Sequence, residues 1–482
     1  MSLPPKLTVR SRLGLDALCA AFLKPPKMPP ELSAGFLGWA SSAGAGAPPG
    51  SAKAFSKAIW AALTAFCSGL GCGRRRALIP DLDRIRDLGV DIIWLMPIHP
   101  TGEKNRKGSL GSPYAIQDYR AVNPEYGTLD DFKELVDEIH ARGMKCMIDV
   151  VYNHTSPDSV LWRTHPDFFY KRPDGTPGNH VGEWSDVIDL DYTVSALWDY
   201  QIETLKKWAE IVDGFRCDVA SFVPVPFWVR ARREIEKTKP GFVWLAESVH
   251  RNFSVECRQR GMYSSRDSDA YEAFDLEYEY DVREAFDRYL DGEGNLSHWL
   301  DLLNFQDFAY PANYNKLRFL ENHDTPRIAA RVKDLHQLKN YTALLYFLKG
   351  TTLLYAGQEM AVAHTPSLFD ADKVKWDTGT DLSTQLQLLS LLKRETLSPD
   401  DIFSAVADEK RHIAVITRDN GKMRKIGIFS LRGLSGEVPV KLPDGSYLNH
   451  LSGGKITVAD GQVQCDGNPI WLCAPVSMEV QP

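Results

Sequence analysis

The sequence has little of what marks a membrane protein or a nucleic-acid-binding protein. The apolar stretch that comes nearest to a membrane span, 58–70, is shorter than the roughly 20 residues that a spanning helix requires. The 482 residues include 56 basic and 63 acidic side chains, a formal net charge of −7, which gives no positive field to hold a phosphate backbone. We therefore expect neither a membrane nor a nucleic acid as partner, and nothing in the sequence indicates an oligomeric state.

Cysteines are also few and scattered. The chain has 8 of them, with no CxxC pair and no dense framework of the kind that stabilises small secreted domains. The apolar stretch 13–23 contains Asp16 and leads into a Lys-Pro-Pro-Lys segment, which is unlike a secretory leader. These features predict reduced thiols and a cytoplasmic protein.

What the sequence does contain is a regular alternation of helical patterns with short apolar runs, beginning at residue 78. This alternation is typical of parallel strands joined by crossover helices. The composition, 44% hydrophobic and 25% charged, is that of a globular protein with a large core. We predict an α/β fold and favour a (β/α)8 TIM barrel over an open sheet, with strands over 91–96, 145–151, 214–218, 242–246, 317–320 and 352–355.

Three regions depart from this alternation. Residues 1–75 form an atypical amino-terminal segment, rich in Gly, Ala, Ser and Pro over 41–51, in which no strand is recognisable. Residues 155–190 are too long for an ordinary loop and predict a short inserted subdomain after the third strand. The barrel then extends over 76–400, and the strand-like runs beyond it predict an antiparallel, β-sandwich-like carboxyl-terminal domain over 401–482.

Charged and polar side chains interrupt the predicted strands near their carboxyl ends. In a parallel barrel these ends converge on one mouth, where active sites are built, so residues far apart in sequence can meet there. Each one alone is more simply explained as a structural ion pair, but several carboxylates on separate strand ends favour a site. The residues are Asp149, Arg216, Asp218, Glu247, His323 and Asp324.

Four ordered segments around these residues resemble the α-amylase superfamily, glycoside hydrolase family 13. They are DVVYNH at 149–154, GFRCDVA at 214–220, LAES at 245–248 and FLENHD at 319–324. A fifth, VIDLD at 187–191, is similar to the motif that precedes the fourth strand in that family. The similarity extends over residues 77–480, and the order and spacing of the motifs make chance agreement a poor explanation.

The resemblance implies a role for each of three carboxylates. Asp218 is expected to be the nucleophile, Glu247 the general acid that then becomes the base, and Asp324 the residue that holds sugar hydroxyls at the transition state. Such a reaction retains the α configuration and needs the Asp218 and Glu247 carboxyl groups about 5–5.5 Å apart. Arg216, two residues before Asp218 on the same strand, is expected to keep the pKa of that carboxyl low.

Further residues are implied as substrate contacts. His154 and His323 would form hydrogen bonds with hydroxyls of the sugar beside the cleaved bond, with Arg216 nearby, and the ring of Tyr114 would stack on that sugar. Asn153 and Asp189 match two calcium ligands of the family, although its Lys-His pair is replaced here by Ser221-Phe222. We expect no required cofactor, with calcium left open at Asn153 and Asp189.

The expected function is retaining hydrolysis of α-glucosidic bonds in starch-like glucans or maltooligosaccharides, which would be the partners of the protein. Transglycosylation on the same glucans is the first alternative, because sequence does not separate water from sugar as acceptor. A second is a catalytically impaired glucan-binding protein, and a third is a metal-dependent hydrolase using His154 and His323, for which a tight HxH or HExxH arrangement is missing. The atypical start allows two explanations: an unusual segment closes the barrel, or the segment is not native family sequence.

Overall fold

Eight parallel strands close into a barrel in the structure, a computed structural model that describes residues 62–66, 75–311 and 313–476. Each strand pairs with the next along the chain, and the last pairs with the first. The predicted TIM barrel is confirmed. The strands are β1 (Ala62–Phe66), β2 (Val90–Leu95), β3 (Lys145–Val150), β4 (Gly214–Cys217), β5 (Val243–Ala246), β6 (Leu276–Tyr278), β7 (Lys316–Arg318) and β8 (Thr351–Tyr355).

Two of these strands are absent from the sequence-based prediction. β1 lies in the atypical amino-terminal segment and pairs with both β2 and β8, so an unusual segment does close the barrel. The prediction of no recognisable strand within residues 1–75 is therefore wrong for Ala62–Phe66. β6 has only three residues, and the sequence around it, 274–282, alternates apolar and acidic side chains instead of forming the continuous apolar run by which the other strands were predicted. The remaining parts of the atypical segment, 1–61 and 67–74, lie outside the described residues.

Alternation along the strands separates the barrel interior from the layer under the helices. Ile92 and Trp94 pack with Met147 and other interior side chains, whereas their neighbours Ile93 and Leu95 pack in the larger core beneath the helices. This is the period of two that strand geometry imposes. The same period turns Asp149 and Arg216 inward, because each follows an interior position by two residues.

The helices bury one face against the outside of the barrel. In Leu129–Ala141 the buried side chains Phe132, Leu135, Val136 and Ile139 recur at helical spacing, and a Thr128–Asp131 capping box fixes the start. The other helices of the described residues are Leu82–Asp87, Val160–Thr164, Ser195–Ala209, Val225–Glu236, Arg251–Gln259, Asp267–Ala270, Tyr280–Leu290, Leu296–Ala309, Ile328–Arg331, Leu335–Phe347 and Ser383–Thr396.

The predicted insert follows β3 and leads into the helix Ser195–Ala209, which precedes β4. Its ends are tied together by a two-stranded antiparallel ladder that pairs His154–Thr155 with Ile188–Asp189. The ladder places His154, at the barrel mouth, directly opposite Asp189. The insert is therefore held over the carboxyl ends of the strands.

The carboxyl-terminal region is antiparallel, as predicted, and consists of two four-stranded sheets. Alternate residues such as Ile413 and Val415 pack together with side chains of the second sheet, while Ala414 and Ile416 join the core of the barrel. One face of the first sheet thus packs on the second sheet, and its other face packs against the barrel. Its strands are Ile402–Asp408, Ile413–Asp419, Met423–Ser430 and Ile470–Pro475, and those of the second are Gly436–Pro439, Gly445–Leu448, Lys455–Ala459 and Gln462–Cys465.

Neither disulfides nor membrane helices occur in the part of the chain that the structure describes. Its five cysteines, Cys146, Cys217, Cys257, Cys465 and Cys473, are free thiols, and Cys19, Cys67 and Cys72 lie outside it. None of its helices combines the length and the apolar character needed to cross a bilayer.

At the junction of β7 and β8, Gly350 lies so close to the neighbouring strand that a larger residue there should destabilise the barrel. Gly350 has φ +127°, and a Cβ added there would lie 2.3 Å from the backbone oxygen of Lys316. Because neither strand can move aside without breaking the ladder, we expect Gly350→Ala to lower the free energy of unfolding by about 3–5 kcal/mol. The measurement is the shift of the urea unfolding midpoint.

Gly143→Ala is the matched control. Gly143 also has a positive φ, +76°, but nothing lies within 4 Å of an added Cβ. Backbone strain alone then acts, which costs about 1–2 kcal/mol. Equal losses in the two variants would contradict the role given to the β7–β8 junction.

Candidate active site

The charged residues predicted at the strand ends do meet at one place, around the guanidinium group of Arg216. This side chain is fully buried and lies between three carboxylates. Its Nη1 donates to Asp149 Oδ1 at 2.9 Å and to Asp218 Oδ1 at 2.8 Å, and its Nη2 lies 2.9 Å from Glu247 Oε1. One cation thus orients carboxylates from β3 and from the ends of β4 and β5.

Aromatic rings surround the same guanidinium group. Its Cζ lies 5.1 Å from the ring centre of Trp94, 5.4 Å from that of Tyr278 and 5.6 Å from that of Tyr114. Cation–π attraction of this kind helps to keep a buried cation in place.

Glu247 is held by a second contact, from an unusual backbone. The backbone N–H of Val219 donates to Glu247 Oε2 at 2.7 Å. Val219 has φ +34° and ψ +45°, a left-handed conformation that a β-branched residue rarely adopts. The turn after Asp218 is therefore strained, and the strain points an N–H group at the neighbouring carboxylate.

Tyr114, His323 and Asp324 form a second cluster beside the carboxylates. The Tyr114 hydroxyl lies 3.1 Å from Asp149 Oδ2 and 2.7 Å from His323 Nε2, which in turn lies 3.2 Å from Asp324 Oδ2. His323 Nδ1 is buried without a hydrogen-bond partner in the protein. His154 approaches from the other side, with its Nε2 3.8 Å from Asp218 Oδ2.

Burial controls the protonation of the site. It raises the pKa of Glu247 to about 8 and those of Asp149 and Asp218 to about 7, against the opposing effect of Arg216. The expected low pKa of Asp218 is therefore wrong, because one guanidinium is shared among three desolvated carboxylates.

The two histidines behave in the opposite sense. Burial lowers the pKa of His323 to about 4 and also lowers that of His154. Both rings are thus neutral at neutral pH and offer one donor and one acceptor nitrogen each. That is a suitable arrangement for hydroxyl groups, which also donate and accept.

One cleft at the barrel mouth, with a volume of about 510 Å³, is lined by the polar groups Tyr114, His154, Arg216, Asp218, Glu247, His323 and Asp324. The insert contributes Trp184 and Val187 to its wall, and the segment after β5 contributes His250 and Phe253. The size and the mixture of apolar and convergent polar groups are those of a small-molecule binding site.

Comparison with protein families agrees with this architecture. The model described as "Alpha amylase, catalytic domain" matches residues 58–174 and 182–422, and that described as "Bacterial Alpha amylase C-terminal domain" matches residues 404–472. The chain belongs to the alpha-amylase family.

Solved structures of the alpha-amylase family have the same fold over most of the chain. An alpha-amylase from Lactobacillus plantarum is 43% identical with a TM-score of 0.83, covering 87% of this chain and 100% of the other. A noncanonic maltogenic alpha-amylase, AmyB, from Thermotoga neapolitana is 28% identical with a TM-score of 0.77, covering 86% of this chain and 99% of the other.

Curated relatives match over shorter parts. A probable oligo-1,6-glucosidase 2 from Bacillus subtilis is 26% identical over 367 residues, 62% of this chain and 63% of its own length. An alpha-1,4-glucan:maltose-1-phosphate maltosyltransferase from Cereibacter sphaeroides is 34% identical over 195 residues, 36% of this chain and 33% of its own length. The chain spans less than two thirds of the length of these relatives.

The calcium site implied by the alpha-amylase family does not fit the residues present. Asp189 Oδ2 accepts two hydrogen bonds from His180, from its backbone N–H and its ring Nδ1, both at 2.7 Å, and the Asn153 amide nitrogen contacts His154. Asp189 Oδ1 is buried without a hydrogen-bond partner, but one such oxygen and one amide oxygen are far from the six to eight ligands of calcium. Within the described residues, no group of three or more acidic, His or Cys side chains is arranged to hold a metal ion.

Some residues of this alpha-amylase-family site could not be found from the sequence. Tyr278 lies on the short β6, where the alternation of apolar and acidic residues over 274–282 is the signal that could have found it. The left-handed turn at Val219 depends on a backbone angle that the residue type argues against. Trp184 and Phe253 gave only a weak signal, since isolated aromatics in loops are common. All four contact the site through tertiary structure alone.

The strained turn can be tested by removing its side chain. Glycine adopts a positive φ without strain, so the strain that is relieved in Val219→Gly should offset the packing that is lost. The melting temperature of this variant should therefore fall only slightly or rise. Val194→Gly is the control: Val194 is likewise half-buried but has φ −87°, and its replacement should lower the melting temperature by several degrees. Equal decreases would mean that the turn at Val219 is unstrained.

Proposed function

We propose that this chain is a retaining glycoside hydrolase, α-amylase-like, that cleaves α-glucosidic bonds in starch-like glucans and maltooligosaccharides. The observation that carries the proposal is the contact of Asp218 and Glu247 with the two terminal nitrogens of one guanidinium group, at 2.8 and 2.9 Å. Two carboxylates held side by side in one cleft are what a double displacement at an anomeric carbon requires. Family membership supports the choice of an α-glucan.

In the first step Glu247 gives its proton to the glycosidic oxygen while Asp218 attacks the anomeric carbon. The bond to the leaving sugar breaks, and a covalent bond from Asp218 to the remaining sugar forms on the opposite face. Burial favours the protonated form of Glu247 near neutral pH, as an acid catalyst needs. Arg216 favours the ionised form of Asp218 through its charge-assisted hydrogen bond.

In the second step Glu247, now ionised, takes a proton from water, which attacks the anomeric carbon and releases Asp218. Two inversions leave the α configuration unchanged. Asp324 and His323 are placed to bind hydroxyls of the sugar that is attached to Asp218. His154 lies on the other side of this sugar, and the Tyr114 ring lies beneath it. These polar contacts strengthen as positive charge develops on the ring.

The other sequence-based alternatives have less support. An impaired glucan-binding protein would not need Asp218, Glu247 and Asp324 together in one cleft, and the closure of the barrel by β1 removes the structural argument for impairment. A metal-dependent hydrolase needs a ligand cluster that the described residues do not form. Transglycosylation uses the same first step and differs only in the acceptor, which is a sugar hydroxyl instead of water.

Glu247→Gln tests the role of the acid. A glutamine cannot protonate the leaving oxygen, so kcat/KM for a maltooligosaccharide should fall by about 10²–10⁴, whereas the loss for formation of the glycosyl-enzyme from an activated aryl α-glycoside should be much smaller. The measurement is the burst of aryl alcohol and the steady-state rate on both substrates.

Glu138→Gln is the matched control, since Glu138 pairs with Arg142 on a surface helix. It should leave both rates unchanged. An equal loss on the two substrates in Glu247→Gln would contradict general acid catalysis by this residue.

The pH dependence of kcat/KM tests the role of Arg216. Activity rises with pH as Asp218 loses its proton and falls as Glu247 loses its own, and burial places both limbs above the ordinary carboxyl values of about 4. A lysine has no planar fork to serve several carboxylates, so their pKa values rise further in Arg216→Lys. We expect the acid limb to move to higher pH and kcat/KM to fall by about 10² or more.

Arg230→Lys is the control, because Arg230 forms an exposed ion pair with Asp199 and should leave the profile in place. An acid limb that is unchanged in Arg216→Lys, or that moves to lower pH, would contradict the proposed role of the guanidinium.

A further inference from the structure

One nitrogen of the Arg216 guanidinium group, Nε, has a neutral partner instead of a carboxylate. It donates to the Tyr278 hydroxyl oxygen at 3.4 Å, and both side chains are fully buried. Tyr278 lies on β6, between β5, which leads to Glu247, and β7, which leads to Asp324. The guanidinium group is therefore held from β6 as well as by the carboxylates of β3 and β4.

The Tyr278 hydroxyl is itself fixed in position by its surroundings. Its ring lies in the barrel interior and meets the rings of Trp94 and Tyr280, with centroids 6.3 and 5.2 Å away. Its backbone oxygen accepts from the Ser248 hydroxyl at 3.0 Å, which ties β6 to the segment after β5. Burial raises the pKa of Tyr278 well above its ordinary value, so the hydroxyl stays protonated and its oxygen accepts from Nε.

The planar shape of the guanidinium group gives the contact at Nε an effect on the whole side chain. All of its N–H bonds lie in one plane, so hydrogen bonds at two of its nitrogens fix the direction of the third. In Arg216 these are the bond from Nε to Tyr278 and the bonds from Nη1 to Asp149 and Asp218, at 2.9 and 2.8 Å. The direction of the Nη2 N–H bonds is then set.

The remaining nitrogen, Nη2, approaches Glu247 without an aligned hydrogen bond. It lies 2.9 Å from Glu247 Oε1, yet it has no hydrogen-bond partner among the described residues. Asp218, by contrast, accepts an aligned bond from Nη1. An aligned bond from a cation favours the ionised form of a carboxyl group more than proximity without alignment does. The orientation of Arg216 therefore favours the anion of Asp218 over that of Glu247.

We propose that Tyr278 is a positioning residue: by holding Nε, it sets the guanidinium plane of Arg216 so that Asp218 receives an aligned hydrogen bond and Glu247 does not. The proposal rests on the function proposed above, in which Asp218 is the anion and Glu247 the acid. Tyr278 is fully buried and acts through Arg216. A neutral hydroxyl below the site thus helps to decide which of two neighbouring carboxyl groups carries the proton.

The ionisable groups that face Arg216 determine what a change at Tyr278 can do. Besides Tyr278, they are Tyr114 after β2, Asp149 on β3, Cys217 and Asp218 at the end of β4, Glu247 after β5, and His323 and Asp324 after β7. Burial raises the pKa values of Tyr114 and Cys217 and lowers that of His323, so the carboxyl groups are the ones that change charge near neutral pH. Asp149 accepts a second hydrogen bond, from Tyr114, and is thus held independently of the guanidinium plane.

Tyr278→Phe tests the proposal, because it removes the hydroxyl and keeps the ring. Without an acceptor at Nε the guanidinium group can turn toward Glu247, so the pKa of Asp218 should rise and that of Glu247 should fall. We expect the two limbs of the pH profile of kcat/KM for a maltooligosaccharide to approach each other by about one pH unit, and the value at the optimum to fall about tenfold. In Arg216→Lys, by contrast, both pKa values rise and both limbs move to higher pH.

An activated aryl α-glycoside separates the two carboxyl groups, because its leaving group needs little help from an acid. The value of kcat/KM for this substrate therefore follows the ionisation of Asp218. Its acid limb should move to higher pH in Tyr278→Phe.

Tyr289→Phe is the matched control. Tyr289 is 1% exposed, and its hydroxyl lies 3.3 Å from Nδ1 of His412 in the carboxyl-terminal domain. This variant should lose a similar amount of stability and leave both pH profiles in place. Limbs that stay in place or move in the same direction in Tyr278→Phe, or a variant that does not fold, would overturn the positioning role while the proposed hydrolase stands. A wild-type protein that cleaves neither substrate would instead overturn the proposed function, and the positioning role with it.

Discussion

The buried guanidinium of Arg216 is the interaction on which the rest of the site depends. Three carboxylates within about 3 Å of one cation could not remain together in a water-free interior without it, because desolvation and mutual repulsion would separate or neutralise them. Sharing one cation among three acids leaves their pKa values raised. Arg216 thus offsets only part of the desolvation of the carboxylates. This suits the proposed reaction, because Glu247 must hold a proton while Asp218 gives one up.

The barrel provides the rigidity that this cluster requires. Asp149 and Arg216 lie on strands that neighbour each other, and Asp218 and Glu247 follow directly at the ends of β4 and β5. Their distances are therefore set by hydrogen-bonded ladders rather than by flexible loops. The turn at Val219 adds a local distortion, a left-handed backbone conformation, which directs the Val219 N–H group toward the Glu247 carboxylate.

Around this rigid centre the cleft is built from parts with different chemistry. Tyr114, His323 and Asp324 give one polar side suited to hydroxyl groups, whereas Trp184 and Phe253 give an aromatic side. The insert is joined to the mouth by the short ladder of His154–Thr155 with Ile188–Asp189, and His180 occupies the Asp189 carboxylate where the family resemblance suggested calcium. These protein contacts fix the insert over the barrel mouth.

The sequence by itself determined the barrel class, six of the eight strands and the convergence of Asp218, Glu247 and Asp324, because short apolar runs and strand-end position are local signals that parallel topology converts into proximity. It did not determine β1, β6, the raised pKa of Asp218 or the place of Trp184 and Phe253 in the wall of the cleft. The pairing of β1 is decided by its neighbours and not by its own residues, whereas β6 has an alternating pattern unlike the continuous apolar runs of the other strands. The last two depend on burial and on which loops meet, and those quantities exist only once the chain has closed on itself.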